Sequence, residues 1–299
     1  MFHPSLALHP PMLHHPRFPS LITRLTTTTT TKKMTTWSPT QYLKFASERN
    51  TPAQDLLNHI PSHSPTTIID LGCGPGNSTA ILATRYPTAN ITGIDSSPDM
   101  IKQAKTTTLN TAENITFTLG SVESYTPDPS TPVDIYFSNA VLQWLPRGER
   151  LQVIKRLVST QPSGGIFAFQ MPDTLSEPSH VLMREVAASG PWKEKLSDVG
   201  REEVESPEEI YDVLVEGGGV EVKVWRTVYY HALRGHGEIV EWVRGTGLRP
   251  YLDRLGGDEE GEFLRVYEEG LRGERGYQRR ADGGVLLRYP RVFGVVVKK

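Results

Sequence analysis

The hydrophobic pattern of the chain alternates between short apolar runs and amphipathic stretches from residue 67 onward. Thr67 to Leu71 is an apolar run that leads into a glycine-rich turn, and a helical pattern starts at Asn77. A second apolar run, Ile91 to Asp95, follows that helix. Short strands that alternate with helices are typical of a parallel sheet covered on both faces. The pattern therefore predicts an α/β protein with a doubly wound, mostly parallel sheet.

The alternation continues toward the C-terminus and becomes less regular after residue 173. Further strands are predicted at 115–119, 133–140, 166–170 and 220–231, and 285–297 is predicted to be a strand pair broken at Pro290. Helices are predicted at 38–49, 52–60, 96–104, 150–160, 180–186, 207–216, 238–244 and 258–272. The helices between the last strands are interpreted as an inserted cap over a ligand pocket.

The first 34 residues differ in composition from the rest of the chain. They are rich in His, Pro and Thr, and no Asp or Glu occurs before Glu48. Such a segment cannot build a core, so residues 1–34 are predicted to be a disordered leader. Its basic residues without acids weakly resemble a mitochondrial transit peptide, whereas a start at Met34 would give a cytoplasmic protein. The cytoplasmic location is favoured, and both interpretations stay open.

Composition and charge exclude several function classes. The net charge of −2 gives no general nucleic-acid footprint, and no apolar run has the length of a membrane span. Cys73 is the single cysteine, so an intrachain disulfide is impossible. The nine histidines form no metal-binding pattern. The sequence predicts neither a nucleic-acid partner nor a membrane partner, and no metal site.

The glycine-rich turn carries the strongest chemical signal. Gly72, Gly74 and Gly76 let the backbone bend sharply and let a ligand approach it, and the turn leads into a helix N-terminus. Asp95, at the tip of the second strand, is placed to accept hydrogen bonds from ribose hydroxyls. An ordinary strand-to-helix turn is the alternative. The order strand, turn, helix, strand and acid favours a nucleotide-type cofactor over it.

Asp70 distinguishes between two cofactor classes. A carboxylate just before the turn would repel a pyrophosphate and would suit a cation. S-adenosylmethionine has an ammonium, a sulfonium and a ribose and lacks phosphate, so it fits better than a dinucleotide. The segment from Asp70 to Gly76 also resembles the first motif of the class I S-adenosylmethionine-dependent methyltransferases.

This resemblance implies a set of cofactor contacts. Met100 would lie near the adenine, and Ser121 stands where the superfamily often places an acid that contacts the base. Asn139 follows the fourth strand, at the carboxyl end where doubly wound sheets bind ligands. The expected cofactor-binding residues are Asp70, Gly72, Gly74, Gly76, Asp95, Ser96, Met100, Ser121, Val122 and Asn139.

Cations and polar aromatic residues gather in the second half of the chain. Arginine forks bind carboxylates bidentately, so a cluster of them favours a small acid with several negative charges as substrate. Each residue alone also has a plain structural explanation, such as a surface ion pair. The predicted substrate-binding residues are Trp144, Arg184, Arg226, Tyr229, His231 and Arg249.

Several longer motifs resemble the trans-aconitate methyltransferase family from about residue 36 to the end. They include Leu142 to Pro146, Gln170 to Asp173, Trp225 to His231 and Thr246 to Pro250. The departures are the leader, Ser121, and the loops at 191–206 and 274–284. The resemblance implies a seven-stranded Rossmann-like domain over 35–299, with a cofactor half at 35–172 and the substrate cap and last strands at 173–299.

The same resemblance implies a carboxyl O-methyltransferase that converts trans-aconitate, a small tricarboxylate, into a monomethyl ester. It implies positioning residues rather than a catalytic acid or base, and a monomer is expected. Two alternatives stay open: a methyltransferase for another small acid or hydroxyl compound, and a non-catalytic cofactor-binding partner subunit. An NAD oxidoreductase fits less well because of Asp70 and the glycine spacing.

Overall fold

The computed structural model describes residues 45–108 and 113–299. The predicted leader, its boundary at residue 34 and most of the first predicted helix lie outside the described residues.

Within the described residues, seven strands form one sheet. Their bounds are β1 Thr67–Leu71, β2 Asn90–Asp95, β3 Ile115–Leu119, β4 Ile135–Asn139, β5 Ile166–Pro172, β6 Gly219–Leu233 and β7 Val285–Lys298. The strand order is β3-β2-β1-β4-β5-β7-β6. Strands β1 to β5 pair in parallel, and β7 is antiparallel to both of its neighbours. The predicted mostly parallel, seven-stranded sheet is confirmed.

The described part of the chain also holds ten α-helices. They are α1 Ala46–Asn58, α2 Asn77–Arg85, α3 Pro98–Thr108, α4 Arg147–Ser159, α5 Pro178–Ser189, α6 Lys193–Leu196, α7 Pro207–Glu216, α8 His236–Arg244, α9 Arg249–Leu252 and α10 Gly257–Arg272. A short 3-10 helix spans Leu142–Trp144.

Successive residues of the central strands point to opposite faces of the sheet, and both faces are buried. Phe167 of β5 belongs to a core cluster with Leu157 of α4, whereas the next residue, Ala168, belongs to a cluster with Leu56 of α1 and Leu82 of α2. Burial on both faces explains why these strands are continuous apolar runs rather than alternating ones.

The predicted break at Pro290 is wrong, because β7 runs through it as one strand. The Pro290 carbonyl accepts a hydrogen bond of 2.9 Å from the Asp173 N–H. In an antiparallel strand the N–H and the carbonyl of one residue face the same neighbour. The missing N–H of Pro290 therefore faces Asp173, just beyond the last residue of β5, so the proline removes only the return bond of this terminal pair.

The predicted division between two helices at Pro52 is also wrong, because α1 is continuous around this residue. A proline inside a helix removes one backbone hydrogen bond. The apolar face that follows it, Ala53, Leu56 and Leu57, is almost fully buried against the sheet. Burial of roughly 1.5–3 kcal/mol for each large side chain outweighs one lost bond.

Helices α5, α6 and α8 to α10 form a separate helical layer beside the ends of β6 and β7. Met183 of α5, Val243 of α8 and Phe263 of α10 belong to one core cluster with Leu233 and Tyr289 of the two strands. That these helices close over a bound ligand stays a prediction. Among the described residues, no helix has both the length and the apolar character needed to cross a membrane.

A buried ion pair fixes the irregular segment 199–206 to the sheet domain. Arg150 of α4 donates to the Glu205 carboxylate at 2.7 Å and to the Leu145 carbonyl at 2.9 Å. Neither side chain of the Arg150–Glu205 pair is exposed. A buried charge without its partner is strongly destabilising, so this pair sets where the segment lies.

We expect Arg150→Met to lower the free energy of unfolding by about 3–5 kcal/mol, because it removes the hydrogen-bonded partner of the buried Glu205 carboxylate and leaves it only Arg147, whose Nε lies 4.0 Å away. The double variant Arg150→Met, Glu205→Leu is expected to recover most of this loss, since both charges are then absent. Urea unfolding of the wild type, both single variants and the double variant measures the difference. Additive losses in the double variant would contradict this account.

Candidate functional site

A cavity of about 270 Å³ lies at the carboxyl ends of the parallel strands. One part of its lining comes from the loops after β1, β2 and β4 and from α3: Gly72, Gly74, Asp95, Ser96, Met100 and Asn139. The other part comes from α1, from β7 and from the chain after β5: Arg49, His180, Arg201, Trp242, Tyr289 and Arg291. The cavity therefore joins the two halves of the domain predicted from the sequence.

The glycine turn between β1 and α2 adopts backbone angles that favour glycine. Gly72, Gly74 and Gly76 have φ values of 71°, 55° and 93°. A Cβ on Gly72 would lie 2.2 Å from the Val141 side chain, whereas a Cβ on Gly74 would meet nothing within 4 Å. Gly74 lines the cavity. The turn thus leaves open space at Gly74, where a ligand in the cavity would reach the backbone.

Asp95 ties the glycine turn to the end of β2. One of its carboxylate oxygens accepts the Gly74 N–H at 2.9 Å, and the other accepts the Ser97 N–H at 2.8 Å. Burial raises the pKa of Asp95 above its ordinary value. Each oxygen has a second lone pair, so the carboxylate fits the predicted role of a ribose acceptor.

Asp70 lies fully buried beneath the turn and does not line the cavity. Its Oδ2 accepts hydrogen bonds from Ser78 at 2.7 Å and from Thr79 at 2.6 Å. Its Oδ1 has no partner among the residues that the structure describes. Burial raises the pKa of Asp70 to about 6. An unpartnered carboxylate oxygen beside the turn fits a cationic ligand such as S-adenosylmethionine, and it disfavours a pyrophosphate.

The other predicted cofactor residues divide between the cavity and its surroundings. Met100 and Val122 line the cavity with apolar surface. Ser121 lies outside the lining and donates a hydrogen bond to Glu123. Gly76 precedes α2 as its N-terminal cap, also outside the lining. The cavity thus brings together Gly72, Gly74, Asp95, Ser96, Met100, Val122 and Asn139 from the predicted set.

Among the predicted substrate residues, Trp144 lines the main cavity. Its ring lies under the guanidinium of Arg201, at 5.7 Å from the ring centroid. Arg184 is exposed, donates to the Leu175 carbonyl at 2.8 Å and lines a small neighbouring cavity of about 30 Å³. The main lining does not include Arg184, Arg226, Tyr229, His231 or Arg249.

Two of these residues on β6 have acidic partners. Arg226 pairs with Asp173 at 3.0 Å, and its side chain is 48% exposed. The Tyr229 hydroxyl donates to Asp55 at 2.6 Å, which joins β6 to α1. These contacts hold the strand to its neighbours. A role for Arg226 or Tyr229 in substrate binding stays a prediction.

His231 and Arg249 are also placed in packing contacts. The His231 ring lies 4.2 Å from the Trp242 ring between centroids, and burial lowers the pKa of His231 to about 4. Arg249 pairs with Asp253 one turn further along the chain, at 3.5 Å. Their substrate contacts stay predictions as well.

Three arginines that the sequence analysis missed do line the cavity. Arg49 donates to the Trp242 carbonyl at 3.0 Å, Arg201 to the Thr174 hydroxyl at 3.2 Å and Arg291 to the Gln170 side chain at 2.9 Å. The acids in the lining, Asp95 and Glu123, belong to the cofactor side. An arginine keeps its charge in a protein, so these three residues supply positive charge to the cavity.

One of the three carried a signal in the sequence. Arg291 stands inside an apolar strand that is buried on both faces, and its own side chain is buried. A charge at such a position requires a partner or a ligand. Arg49 and Arg201 stand on a polar helix end and in an irregular loop, where an arginine is ordinary.

His180 is the ionisable imidazole in the lining, and it is neutral. Its ring nitrogens lie 3.1 Å from the Thr174 and Ser179 hydroxyls, and burial lowers its pKa to about 3. An imidazole with a pKa this low is a weak base, and both of its nitrogens are already engaged by hydroxyl groups.

Comparison with known proteins identifies the family. The chain is 47% identical to the trans-aconitate 2-methyltransferase of Methylobacterium nodulans over 87% of this chain and 97% of that protein. It is 44% identical to the Escherichia coli protein of the same name, again over 87% of this chain and 97% of the other. The chain belongs to the trans-aconitate 2-methyltransferase family. The family predicted from the motifs is thereby confirmed.

Wider comparisons agree on the fold of this methyltransferase. A family model described as a methyltransferase domain matches residues 68–165. Bacillus subtilis YcgJ superposes with a TM-score of 0.55 at 12% identity, covering 84% of this chain and 99% of that one. Haemonchus contortus phosphoethanolamine N-methyltransferase 2, in complex with phosphomonomethylethanolamine and S-adenosylhomocysteine, superposes with a TM-score of 0.51 at 16% identity. This match covers 83% of this chain and 53% of that one.

We expect Gly74→Ala to weaken S-adenosylhomocysteine binding by at least tenfold, because its methyl group would occupy space at the cavity. The left-handed backbone angle costs about 1–2 kcal/mol in addition. Gly164→Ala is a matched control, since Gly164 has a φ of 81°, meets nothing within 4 Å and lies outside the cavity lining. Calorimetric titration and thermal unfolding of both variants separate binding from stability. Equal affinities in the two variants would contradict the placement of the cofactor at Gly74.

Proposed function

We propose that this methyltransferase transfers a methyl group from S-adenosylmethionine to a carboxylate of trans-aconitate and forms a monomethyl ester. The observation that carries the proposal is the lining of one cavity by Arg49, Arg201 and Arg291 together with the glycine turn. The names of the relatives, trans-aconitate 2-methyltransferase, support the same substrate.

The reaction needs positioning more than proton transfer. S-adenosylmethionine, when bound, supplies a methyl group on a sulfonium centre. A carboxylate is already ionised at pH 7, so the acceptor requires no general base. The neutral, fully engaged His180 agrees with this requirement. Orientation of two reactants in one site supplies roughly 7–11 kcal/mol toward the barrier.

The arginines would hold the acceptor by the carboxylates that do not react. A guanidinium fork binds one carboxylate through two parallel hydrogen bonds. The same grip on the reacting carboxylate would reduce its nucleophilicity, so that oxygen must point away from the forks and toward the cofactor. Trp144 supports the plane of Arg201, and the Arg150–Glu205 pair anchors the segment that contains Arg201.

The glycine side of the cavity would hold the cofactor. Asp95 would accept hydrogen bonds from the ribose, and Met100 and Val122 would contact the adenine with apolar surface. Asp70 lies close beneath the turn and supplies a negative field without touching the ligand. Together these residues would place the positively charged sulfonium of the cofactor next to the arginine-bound acid.

The remaining expectations from the sequence stay predictions. These are the substrate roles of residues outside the cavity, the monomeric state, the absence of a nucleic-acid partner, the cytoplasmic location, and the division of the chain at residue 34.

Methyl transfer from labelled S-adenosylmethionine to trans-aconitate, cis-aconitate, citrate and isocitrate tests the proposed function. We expect the wild type to prefer trans-aconitate. Transfer to none of these acids, with S-adenosylhomocysteine binding intact, would contradict the substrate.

Two variants locate the acceptor site. We expect Arg201→Met to raise the KM for trans-aconitate about 30-fold, since a hydrogen bond to a charged group is worth about 2 kcal/mol. The KM for S-adenosylmethionine should change little. Arg226→Ala removes an arginine outside the cavity and serves as the comparison. A large KM change in Arg226→Ala and none in Arg201→Met would move the acceptor site to β6.

A further inference from the structure

A chain of side-chain hydrogen bonds connects β7 to the tip of β4. Arg291 donates from Nη1 to Gln170 Oε1 at 2.9 Å, and Gln170 Nε2 donates to Asn139 Oδ1 at 2.6 Å. Asn139 and Gln170 are paired residues on neighbouring parallel strands. Gln170 is completely buried and lies outside the cavity lining, whereas Asn139 and Arg291 line the cavity.

Arg291 fixes which atoms donate and which accept in this series of hydrogen bonds. A guanidinium has donors and no acceptor, so the Gln170 atom that faces it must be the amide oxygen. The Gln170 amide nitrogen is then the group that faces Asn139, and the Asn139 atom that receives it must be its oxygen. The Asn139 NH₂ takes no part in these two hydrogen bonds, and its N–H groups are the donors that the side chain can offer to the cavity.

Asn139 lines the cavity close to the glycine turn. Asp70 pairs with Phe137 across β1 and β4, so Asn139, two residues further, lies beside Gly72 at the same edge of the sheet. The Asn139 side chain can therefore supply an N–H donor to the cavity wall next to the glycine turn.

We infer that Asn139 donates a hydrogen bond to a carboxylate oxygen of the bound ligands, and that Gln170 is a positioning residue that holds Asn139 in this orientation. The inference rests on the proposed function. The carboxylate belongs either to the amino-acid part of the cofactor or to the acceptor, and both present the same anionic oxygen to a donor.

Gln170→Glu reverses the direction of the hydrogen bond between residues 170 and 139 and leaves the side-chain volume nearly constant. A carboxylate still accepts from Arg291, but it has no N–H for Asn139. Asn139 would turn over, donate its NH₂ to the new carboxylate and present its oxygen to the cavity. An oxygen facing an anionic oxygen is repulsive, so binding of the carboxylate partner should weaken at least tenfold. Asn139→Asp presents only oxygens as well and should give a similar loss.

The action of Gln170 through Asn139 is tested in a second background. In Asn139→Ala the side chain that Gln170 orients is absent, so adding Gln170→Glu should leave the remaining affinity within about twofold. A purely structural role of Gln170 would instead give the same further loss with and without Asn139. Thermal unfolding establishes that each variant is folded, and Asn139→Asp carries the test if Gln170→Glu does not fold.

Two ligands distinguish the sources of the carboxylate. S-adenosylhomocysteine has the amino-acid carboxylate, and 5′-methylthioadenosine lacks it. Calorimetric titration of Gln170→Glu with both is expected to show a loss for the first alone if the cofactor is the partner. If the acceptor is the partner, both affinities stay at the wild-type value and the KM for trans-aconitate rises at least tenfold.

The inference is overturned if Gln170→Glu and Asn139→Asp change neither S-adenosylhomocysteine affinity nor the KM for trans-aconitate. It is also overturned if Gln170→Glu lowers the affinities for 5′-methylthioadenosine and S-adenosylhomocysteine equally. Failure of the proposed function is a separate result, since it appears as wild-type protein that does not methylate trans-aconitate, while the titrations with S-adenosylhomocysteine still report on Asn139.

Discussion

The presence of opposite charges at one small cavity is the constraint on which the rest of the structure depends. The Asp95 carboxylate and the guanidinium groups of Arg49, Arg201 and Arg291 belong to residues that line this cavity, and Asp70 is buried beneath the glycine turn. In the proposed function, the carboxylates attract the cationic methyl donor and the arginines attract the anionic acceptor. Because the donor is activated and the acceptor is already ionised, this arrangement needs no proton transfer.

The acidic and basic groups come from different parts of the fold. The two carboxylates come from consecutive strands β1 and β2, whose parallel pairing brings Asp70 and Asp95 to one edge of the sheet. The three arginines come from α1, from an irregular segment and from β7, which are distant from one another in sequence. Each arginine is therefore held by a tertiary contact: Arg49 by the Trp242 carbonyl, Arg201 by Thr174, and Arg291 by Gln170.

This difference explains how much could be predicted from the sequence. The turn from Asp70 to Gly76 and its acid Asp95 are local features, and both lie where their spacing predicted. The strands β1 and β3 and the helix α7 were predicted with their observed bounds, because apolar runs between turns define them. Pro52 and Pro290 misled the prediction, since tertiary burial and the end of β5 made each proline tolerable.

The arginines show the opposite case. Arg184 and Arg226 were chosen because they lie in the half of the chain that binds the acceptor in this interpretation. Nothing local shows that Arg226 meets Asp173, or that Arg201 is brought over Trp144 by a segment that Arg150 and Glu205 anchor. The resemblance to a family predicted the type of reaction, whereas only the three-dimensional structure shows which arginines line the cavity.

A crystal structure of the full chain with S-adenosylhomocysteine and trans-aconitate tests the central claim most directly. The account predicts the nucleoside against the glycine turn and the carboxylates of trans-aconitate within hydrogen-bond distance of Arg49, Arg201 and Arg291, with one carboxylate oxygen directed at the cofactor sulfur. Carboxylates bound to Arg226 and Arg249, with the three cavity arginines making no contact to the acceptor, would contradict it.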